Sequence, residues 1–358
     1  MINRLERKKS INIGKHKVGA GHPCFIIAEA GSNHDRKLEQ AFQLIDVAAE
    51  AGADAVKFQT FSAETLYSRK APMVSHIRKT KLSEKGETLW DVIKRVEMPR
   101  KWHAPLAEHC RKRKIIFLST PFDEKAVDEL EAVGVPAYKI ASVDITNMPL
   151  LRKTARTGKP IILSTGAANL ADIETAVNVI HSEGNKSIIL LHCVIKHPPE
   201  FEDLNLRAME TMRLALHLPV GFSDHTRGIV ADVAAVALGA CVIEKHFTLN
   251  RSLPGPDHPF ALEPDELKEM CQAVRLTEKS LGSPLKRVTP AEAEHILLSR
   301  RSLVAARDIK KGKTITRSML AVKRPGCGIP TDMMNIIIGR KARINIEHDE
   351  ILMWEMIE

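Results

Sequence analysis

The sequence predicts an α/β protein, a (β/α)8 TIM barrel followed by a small β-rich domain. Eight short apolar runs alternate with amphipathic stretches between residues 24 and 283, polar residues gather where the runs end, and the composition changes near residue 284. Near-continuous apolar strands are typical of parallel sheets covered by helices on both faces. Eight such units in a chain of this length favour a closed barrel over an open sheet.

A short hairpin-like stretch comes first, and the predicted barrel strands follow in a regular order. They are CFIIAEAG (24–31), ADAVKFQT (53–60), KIIFLST (114–120), PAYKIAS (136–142), PIILSTG (160–166), SIILLHC (187–193), LPVGFSD (218–224) and CVIEKHF (241–247). Stretches between them, such as 37–52 and 123–134, have helical apolar spacing and end on glycine. The interval 61–100 is longer and mostly polar, so we expect a loop or lid near the top of the barrel.

The domain boundaries are expected where the composition changes. Residues 1–283 form the predicted barrel domain, 284–299 a polar linker with a possible helical turn, and 300–358 the small domain. The last segment has short apolar runs broken by Gly, Pro and charged residues, which is typical of short strands joined by turns.

The net charge of +9 has a local origin. Residues 300–345 contain twelve Lys or Arg and two Asp or Glu, so this segment holds the whole positive excess. Aromatic residues make up 4% of the chain, and no zinc-finger or homeodomain spacing occurs, which argues against nucleic-acid binding. A basic cap over an anionic small-molecule site fits the charge distribution better.

The remaining composition predicts a cytoplasmic protein. No apolar run approaches the ~20 residues that a membrane span needs, and the basic N-terminus lacks the apolar stretch of a signal peptide. The six cysteines are scattered without short-range pairing, so we expect reduced thiols.

The chemistry is expected around residues 219–257. Two apolar runs here each end in a histidine, and the helical pattern between them predicts a strand–helix–strand unit with adjacent parallel strands. His225 and His246 should therefore lie side by side past the carboxyl ends of the strands, where parallel sheets bind ligands. Three further polar residues are expected to crowd the same rim: Ser223, Asp224 and Glu244.

Other polar residues fall at the ends of successive strands, because charge in mid-strand would be costly to bury. They are Glu29, Lys57, Gln59, Thr120, Lys139, Ser142, Ser164, Thr165 and His192. Polar groups collected at one rim are typical of barrel enzymes.

Eight motifs in chain order closely resemble those of sialic acid (nonulosonate) synthases. They are IIAEAGSNH, AVKFQT, STPFDE, AYKIAS, ILSTG, GFSDHT, EKHFT and PGPDH, and the tail SLVAARDIKKG…VKRPG is also similar. The resemblance covers almost the whole chain and implies a (β/α)8 barrel followed by an antifreeze-like (SAF) domain. It also implies condensation of phosphoenolpyruvate with an N-acetylated aldose to a nine-carbon 2-keto acid and phosphate. Members of this family make N-acetylneuraminic, legionaminic or pseudaminic acid.

The resemblance implies a divalent metal held by His225 and His246, with Mn²⁺ expected first and Mg²⁺ or Co²⁺ as alternatives. A metal polarises the aldehyde carbonyl as a Lewis acid, and neutral imidazoles suit Mn²⁺ or a later transition metal better than Mg²⁺. Each histidine alone could merely hydrogen-bond at the surface, but their matched placement on adjacent strands favours a metal site.

The same resemblance assigns phosphoenolpyruvate anchors at the rim, where lysine supplies charge and serine supplies donors. The matching residues are Lys57, Lys139, Ser142 and Ser164, and we add Gln59, Thr120 and Ser223 to the substrate-binding set. Two alternatives stay open: a lysine could form a Schiff base, and Thr120 could cap the following helix.

Two carboxylates are candidates for proton transfer. Glu29 matches the family carboxylate beside C2 of phosphoenolpyruvate, and Glu244, beside the metal, could share its task. Either could instead form an ion pair with a rim lysine. Asp257 resembles a carboxylate that contacts sugar hydroxyls. Asn33 and His34 are weaker candidates, because helix capping would explain the asparagine.

The chain departs from the family pattern after the sixth strand. Relatives usually have polar residues and then an aromatic residue before proline, whereas this chain reads HCVIKHPPE, with Ile195 and His197 at those positions. Those residues normally help to hold the sugar. We therefore expect a less polar acceptor than N-acetylmannosamine, such as a 6-deoxy diacetamido hexose.

The basic tail is expected to act in a homodimer. Arg324, in VKRPG, matches the family arginine that reaches the partner's site, so the small domain would cap the other barrel. Rival interpretations are another phosphoenolpyruvate-condensing synthase, a Schiff-base aldolase, or a non-catalytic binding protein on the same scaffold. An ice-binding role for the C-terminal domain is disfavoured, because its surface should be strongly cationic.

Overall fold

A hairpin and eight barrel strands open the structure, a computed structural model that describes residues 10–72 and 87–358. The hairpin pairs β1 (Ser10–Ile13) with β2 (His16–Gly19) in antiparallel fashion. The barrel strands are β3 (Phe25–Gly31), β4 (Ala55–Thr60), β5 (Ile116–Pro121), β6 (Tyr138–Ile140), β7 (Ile161–Ser164), β8 (Ile188–Cys193), β9 (Val220–Asp224) and β10 (Val242–His246).

The barrel strands form one sheet in the described part of the chain, in the order β5-β4-β3-β10-β9-β8-β7-β6. Every neighbouring pair is parallel. The two end strands, β5 and β6, pack beside each other. The architecture is thus the nearly closed, TIM-like barrel that the sequence predicts.

Helices alternate with these strands and cover the outside of the barrel. They are α1 (Leu38–Ala51), α2 (Ala63–Leu66), α3 (Leu89–Val96), α4 (His103–Arg113), α5 (Glu124–Val133), α6 (Met148–Ala155), α7 (Leu170–Ser182), α8 (Ala208–Leu216), α9 (Val230–Ala237) and α10 (Pro264–Leu281). The predicted glycine stop is present at α1, where Gly52 has a φ of 89° and its N–H caps the last turn.

The predicted lid at 61–100 is described only in part. Its described portion contains α2 and α3, and residues 73–86 lie outside the described residues. The prediction of a lid therefore stays a prediction.

The chain divides into two compact units, Met1–Gly282 and Ser283–Glu358. The second unit begins with α11 (Pro290–Ser299), which falls within the predicted linker. Its strands β11 (Ser302–Ala305) and β12 (Leu320–Lys323) pair in antiparallel fashion, and α12 (Met334–Ile337) follows. Isolated bridges join further extended segments, and this unit has its own apolar core.

The cysteines and the helices bear on the expectations drawn from composition. Each of the six cysteines is a free thiol, and all except Cys327 are buried. None of the described helices is long and apolar enough to cross a membrane.

Candidate active site

Alternation of side chains along the strands decides which residues face the inside of the barrel. At the start of the strands, Ile27, Leu118, Ile162 and Val242 form an apolar cluster that includes residues of the hairpin β1–β2. The interior at this end of the barrel is therefore apolar. Two residues further along the same faces stand Glu29, Thr120, Ser164 and Glu244. The polar residues thus collect inside the barrel at the carboxyl ends of the strands.

Four charged side chains from four strands meet at this end. Lys57 Nζ lies 2.9 Å from Glu29 Oε2 and 3.7 Å from Glu244 Oε1. Lys139 Nζ lies 3.2 Å from the same oxygen of Glu244. All four side chains are buried, so mutual pairing must offset the cost of removing their charges from water. The structure thus shows the ion pairs that sequence analysis held open as alternative roles for both carboxylates.

Burial and neighbouring charges shift the pKa values within this inner cluster (Glu29, Lys57, Lys139 and Glu244) in different directions. Burial, together with the charge of Glu244, raises the pKa of Glu29 despite the presence of Lys57. Burial also opposes ionisation of Glu244, but Lys139 and Lys57 outweigh it and lower the pKa of that carboxyl. Two carboxylates with separated pKa values are suited to different roles, Glu244 as a fixed anion and Glu29 as a proton carrier.

Burial opposes the charged form of Lys57 too, yet Glu244 and Glu29 outweigh it and raise the pKa of the ammonium group.

Lys57 Nζ also donates to Thr120 Oγ1 at 3.0 Å. The helix after Thr120 is capped by another residue, Asp123, whose side chain accepts from the backbone N–H of Ala126 at 2.7 Å. The capping alternative for Thr120 is therefore wrong, and this hydroxyl faces the inner cluster.

The predicted amide and hydroxyl groups surround the carboxylates. Gln59 Nε2 donates to Glu29 Oε1 at 2.8 Å, and Ser223 Oγ donates to Glu244 Oε1 at 3.2 Å. These contacts hold the two carboxylates in place. Gln59 and Ser223 are thus where sequence analysis expected them, although their hydrogen bonds run to protein carboxylates.

The two remaining serines lie at the ends of β6 and β7. Ser142 Oγ accepts from the backbone N–H of Gly166 at 2.9 Å. Ser164 Oγ is buried and makes no hydrogen bond with the residues that the structure describes. A buried hydroxyl without a partner is costly, so Ser164 is suited to bind a polar ligand atom.

Three histidines come together beside this cluster. The ring centroids of His225 and His246 lie 5.3 Å apart, so the predicted pair is adjacent. His197, from the loop after β8, joins them, with its ring centroid 4.0 Å from that of His225. One nitrogen from each of the three rings lies within 4.8 Å of the others. Imidazole nitrogens grouped in this way fit a divalent transition metal.

An outer hydrogen bond orients one of these rings, and a carboxylate lies near another. His225 donates from Nδ1 to the carbonyl oxygen of Val194 at 2.9 Å, which directs Nε2 towards the histidine group. His246 Nδ1 lies 3.7 Å from Asp257 Oδ2, too far for a hydrogen bond, and this buried nitrogen has no hydrogen-bond partner among the described residues. Metal-binding histidines usually donate their second ring nitrogen to such a carbonyl or carboxylate.

The protonation of the rings is compatible with metal binding at His246. Burial, followed by the neighbouring His225 and His197, lowers the pKa of His246 well below its ordinary value. Burial opposes protonation of His225 as well, but the Cys193 thiol, 3.8 Å from Nδ1, outweighs it and raises the pKa of that imidazole. His246 is therefore neutral near pH 7, the form in which imidazole binds metals.

Asp224, expected at the rim, lies elsewhere. Because Ser223 faces inward, Asp224 faces outward, where it pairs with Lys245. Lys245 Nζ also lies 3.4 Å from Asp232 Oδ2 on α9 and donates to the carbonyl oxygen of Thr226 at 2.8 Å. This outer cluster (Asp224, Asp232, Lys245 and Thr226) is buried between the strands and α9. The expectation that Asp224 crowds the catalytic rim was wrong.

The two weaker candidates, Asn33 and His34, and the strand-end residue His192 also lie outside the inner cluster. Asn33 does not cap a helix; its Nδ2 donates to the carbonyl oxygen of Phe247 at 2.7 Å. His34 is buried beside Phe58, and burial lowers the pKa of its imidazole to about 4. His192 faces outward, with Nε2 2.6 Å from the carbonyl oxygen of Leu204.

A buried hydrogen-bond chain that sequence analysis missed connects two loops at the rim. His258 Nδ1 lies 2.6 Å from Thr248 Oγ1, and its Nε2 lies 3.1 Å from Asp35 Oδ1. Gln40 Nε2 donates to the other oxygen of Asp35 at 2.9 Å. This chain joins the loop that carries Asp257 to the loop after β3. Asp35 and His258 are distant in sequence, and only the pairing of β3 with β10 brings their loops together.

Gly31 is a further feature that sequence analysis missed. Its φ is +52°, and a Cβ placed there would lie 3.2 Å from Asp257 Oδ2, 3.4 Å from Gln59 Nε2 and 3.5 Å from Glu29 Oε1. Three candidate site residues therefore converge on a glycine whose backbone conformation disfavours other residues.

Arg324 belongs to the second unit, where its side chain is exposed. Its Nε donates to the carbonyl oxygen of Ser299 at 2.9 Å. The expected role of Arg324 in a partner's site stays a prediction.

Comparisons with known proteins agree with this geometry. The profile of the NeuB family matches residues 44–286, and that of the SAF domain matches residues 300–358. An N,N'-diacetyllegionaminic acid synthase of Campylobacter jejuni is 45% identical over 91% of this chain and 98% of its own length. A pseudaminic acid synthase of Helicobacter pylori is 37% identical over 89% of this chain and 94% of its own length.

A solved structure shows the same fold. The crystal structure of an N-acetylneuraminic acid (sialic acid) synthetase from Leptospira borgpetersenii superimposes with a TM-score of 0.71 at 37% identity. The match covers 81% of this chain and 95% of that one. Taken with the family profile and the two relatives, this match establishes that the chain belongs to the NeuB family and carries a C-terminal SAF domain.

Proposed function

We propose that this protein is a metal-dependent nonulosonic acid synthase. It condenses phosphoenolpyruvate with an N-acetylated aldose and water to give a nine-carbon 2-keto sugar acid and inorganic phosphate. The observation that carries the proposal is the inner cluster of two lysines and two carboxylates beside three histidines, at the carboxyl end of the barrel. The named relatives act in the synthesis of such acids, which supports this assignment.

The anionic substrate matches the charges of the inner cluster. Phosphoenolpyruvate carries a phosphate and a carboxylate, and Lys57 and Lys139 supply two cations at the site. Ser164 Oγ, which has no partner among the described residues, can donate to a substrate oxygen. We assign these three residues, with Ser142 and Thr120, to the binding of phosphoenolpyruvate.

The carbon–carbon bond forms when C3 of phosphoenolpyruvate attacks the aldehyde carbon of the sugar, whose oxygen takes up a proton and becomes a hydroxyl. A bound divalent metal would polarise that carbonyl, and His225 and His246 would hold it. Water then adds to C2 and gives up one proton, which balances the proton taken up by the sugar oxygen. Cleavage of the C2–oxygen bond releases phosphate, which carries away the second proton of the water, and leaves the ketone. Glu29, whose pKa burial raises, is suited to hold the proton removed from water.

The Schiff-base alternative is less compatible with the site. An amine nucleophile needs a lowered pKa, whereas Glu244 and Glu29 outweigh burial and raise the pKa of Lys57. Lys139 also pairs with a carboxylate, Glu244. A lysine that stays protonated is suited to bind an anion rather than to attack a carbonyl.

We further propose that the acceptor is a 6-deoxy diacetamido hexose rather than N-acetylmannosamine. Ile195 presents an apolar, exposed side chain in the loop that also carries His197. An apolar residue cannot hydrogen-bond a sugar hydroxyl, and such a group costs about 1–3 kcal/mol where binding leaves it buried and unpaired. The legionaminic and pseudaminic acid synthases among the relatives are consistent with this choice.

Release of phosphate from phosphoenolpyruvate tests the proposal. The assay uses Mn²⁺ and a panel of acetamido hexoses and 6-deoxy acetamido hexoses, and we expect phosphate release to depend on an added aldose. Borohydride trapping of a covalent adduct would instead establish the Schiff-base alternative. A higher kcat/KM for N-acetylmannosamine than for every deoxy sugar would overturn the choice of acceptor.

A further inference from the structure

We propose that His197 is a third metal ligand, so that the site prefers Zn²⁺ and Co²⁺ over Mn²⁺ and Mg²⁺. This inference rests on the proposed function, in which the metal is held at the rim of the barrel. It gives His197 a different role from the sugar contact expected from its sequence position.

The loop after β8 places His197 beside the other two rings. The same loop contains Val194, whose carbonyl oxygen accepts from His225 Nδ1 at 2.9 Å. The loop therefore contributes both the group that orients one histidine and a further histidine. Ile195 anchors the segment between them, because its Cγ2 lies only 2.6 Å from where a Cβ on Gly166 would stand.

Ring packing keeps His197 close to the group. Its centroid lies 4.0 Å from that of His225, 6.1 Å from that of His246 and 5.3 Å from that of Phe260. The side chain is exposed whereas the other two histidines are buried. A tetrahedral ion with bonds of about 2.05 Å holds its nitrogens about 3.3 Å apart. Rotation of the exposed ring can close most of the gap from the observed spacing of 4.8 Å or less.

The chemistry of the donors determines the preferred ion. The group within the described residues consists of imidazoles alone, without a carboxylate. Mg²⁺ and Mn²⁺ favour oxygen donors, whereas each added imidazole favours later transition ions such as Co²⁺ and Zn²⁺. Three protein ligands also leave a coordination position open, as catalytic zinc sites do.

The test measures metal affinity directly, by calorimetric titration of metal-free full-length protein with ZnCl₂, CoCl₂ and MnCl₂. The informative variant is His197→Phe, which keeps an aromatic ring and removes the nitrogen ligand. His197→Asn provides a second replacement, and His22→Phe removes an exposed histidine that precedes β3, at the opposite end of the barrel. His225→Ala reports on the site as a whole.

We expect the wild-type protein to bind Zn²⁺ and Co²⁺ more tightly than Mn²⁺. His197→Phe should weaken Zn²⁺ and Co²⁺ binding at least about tenfold and change Mn²⁺ binding less than about threefold. The visible absorption spectrum of bound Co²⁺ should also change in this variant, and His22→Phe should behave like the wild type.

The contrary outcomes distinguish failure of the third ligand from failure of the proposed function. If both His197 variants bind Zn²⁺ like the wild type while His225→Ala loses it, the third ligand is wrong and the proposed function stands. If the wild-type protein binds Mn²⁺ more tightly than Zn²⁺, the proposed preference for Zn²⁺ and Co²⁺ is wrong. If it binds none of the three ions, the metal-dependent function fails as well.

Discussion

Two charged clusters share the strands β9 and β10 but lie on opposite faces of them. The inner cluster includes Glu244, which pairs with lysines at the rim. The outer cluster includes Lys245, the next residue, which pairs with Asp224 under helix α9. Both are buried, yet they differ in what they face: the inner cluster lies at the carboxyl end of the barrel, whereas α9 covers the outer cluster.

The outer cluster balances its charges internally. Burial, and then the neighbouring Asp224, raises the pKa of Asp232 well above its ordinary value, which favours the neutral form of this carboxyl. Asp224 pairs with Lys245, which donates a further hydrogen bond to the carbonyl oxygen of Thr226. Both carboxyl oxygens of Asp232 are buried without a hydrogen-bond partner among the described residues, but they lie between α9 and the strands. This network therefore contributes to folding and is closed to a ligand.

The inner cluster has polar capacity left over. It contains two lysines, while burial raises the pKa of Glu29 and thereby weakens one of its two anions. Within the described residues, Glu244 Oε2 and Ser164 Oγ are buried without a hydrogen-bond partner. Neither burial of charge nor an unsatisfied oxygen marks a functional site by itself, since both clusters have both. The position of the inner cluster at the carboxyl end of the barrel distinguishes it.

Removing a histidine that faces inward should have the largest effect on activity. We expect His225→Ala or His246→Ala to lower kcat/KM by more than about a thousandfold, because the carbonyl loses its Lewis acid. Phosphate release measured after treatment with EDTA and after addition of metal ions checks this expectation. His192→Gln is the matched control on the outward face and should retain activity within about threefold. Full activity in metal-free protein would contradict the prediction.

Breaking the outer cluster should instead affect folding. Lys245→Met leaves Asp224 buried without its cation, so we expect a loss of about 3–5 kcal/mol in the free energy of unfolding. Urea titration measures this loss. The kcat of the folded fraction should change little, and a large fall in kcat without loss of stability would break the comparison.

We expect another subunit to complete the rim of the barrel. We expect Arg324→Ala to lower kcat/KM at least about tenfold, because a charge-assisted contact in a closed site is lost. Mixing this variant with His225→Ala under subunit exchange should restore activity, since one barrel would then be intact and capped. No recovery after confirmed exchange would show that the second unit does not act in trans.

The smallest expected effect concerns the choice of acceptor. Ile195→Asn adds a hydrogen-bonding group beside the site, so kcat/KM for N-acetylmannosamine should rise relative to that for a 6-deoxy sugar by up to about tenfold. Steady-state kinetics with both sugars measure the ratio. Ile195→Leu is the apolar control, and an unchanged ratio in the Asn variant would remove Ile195 from acceptor selection.

Much of the fold and the inner cluster could be predicted because both follow from strand periodicity. Polar residues at the ends of apolar runs identified Glu29 and Lys57, and equal placement on adjacent strands identified His225 and His246. The same periodicity should have excluded Asp224, since Ser223 and Asp224 cannot both face inward.

Contacts between loops could not be predicted in this way. His258 reaches Asp35, distant in sequence, only because β3 pairs with β10. Likewise, the sequence shows His197 as a departure from a family pattern. Its closeness to His225 depends on the path of a loop, which strand periodicity does not determine.

The most direct test of the account compares Glu244→Gln with Asp224→Asn, one buried carboxylate on each face of β9 and β10. Both kcat/KM for phosphoenolpyruvate and the free energy of unfolding are measured for each variant. We predict that Glu244→Gln lowers kcat/KM at least about a hundredfold, because it touches the reacting groups. It should also cost stability, because Lys57 and Lys139 lose a buried partner. Asp224→Asn should cost about 3–5 kcal/mol of stability and leave kcat within about threefold. Equal losses of activity in the two variants, or the reverse pattern, would contradict the division between a catalytic inner face and a structural outer face.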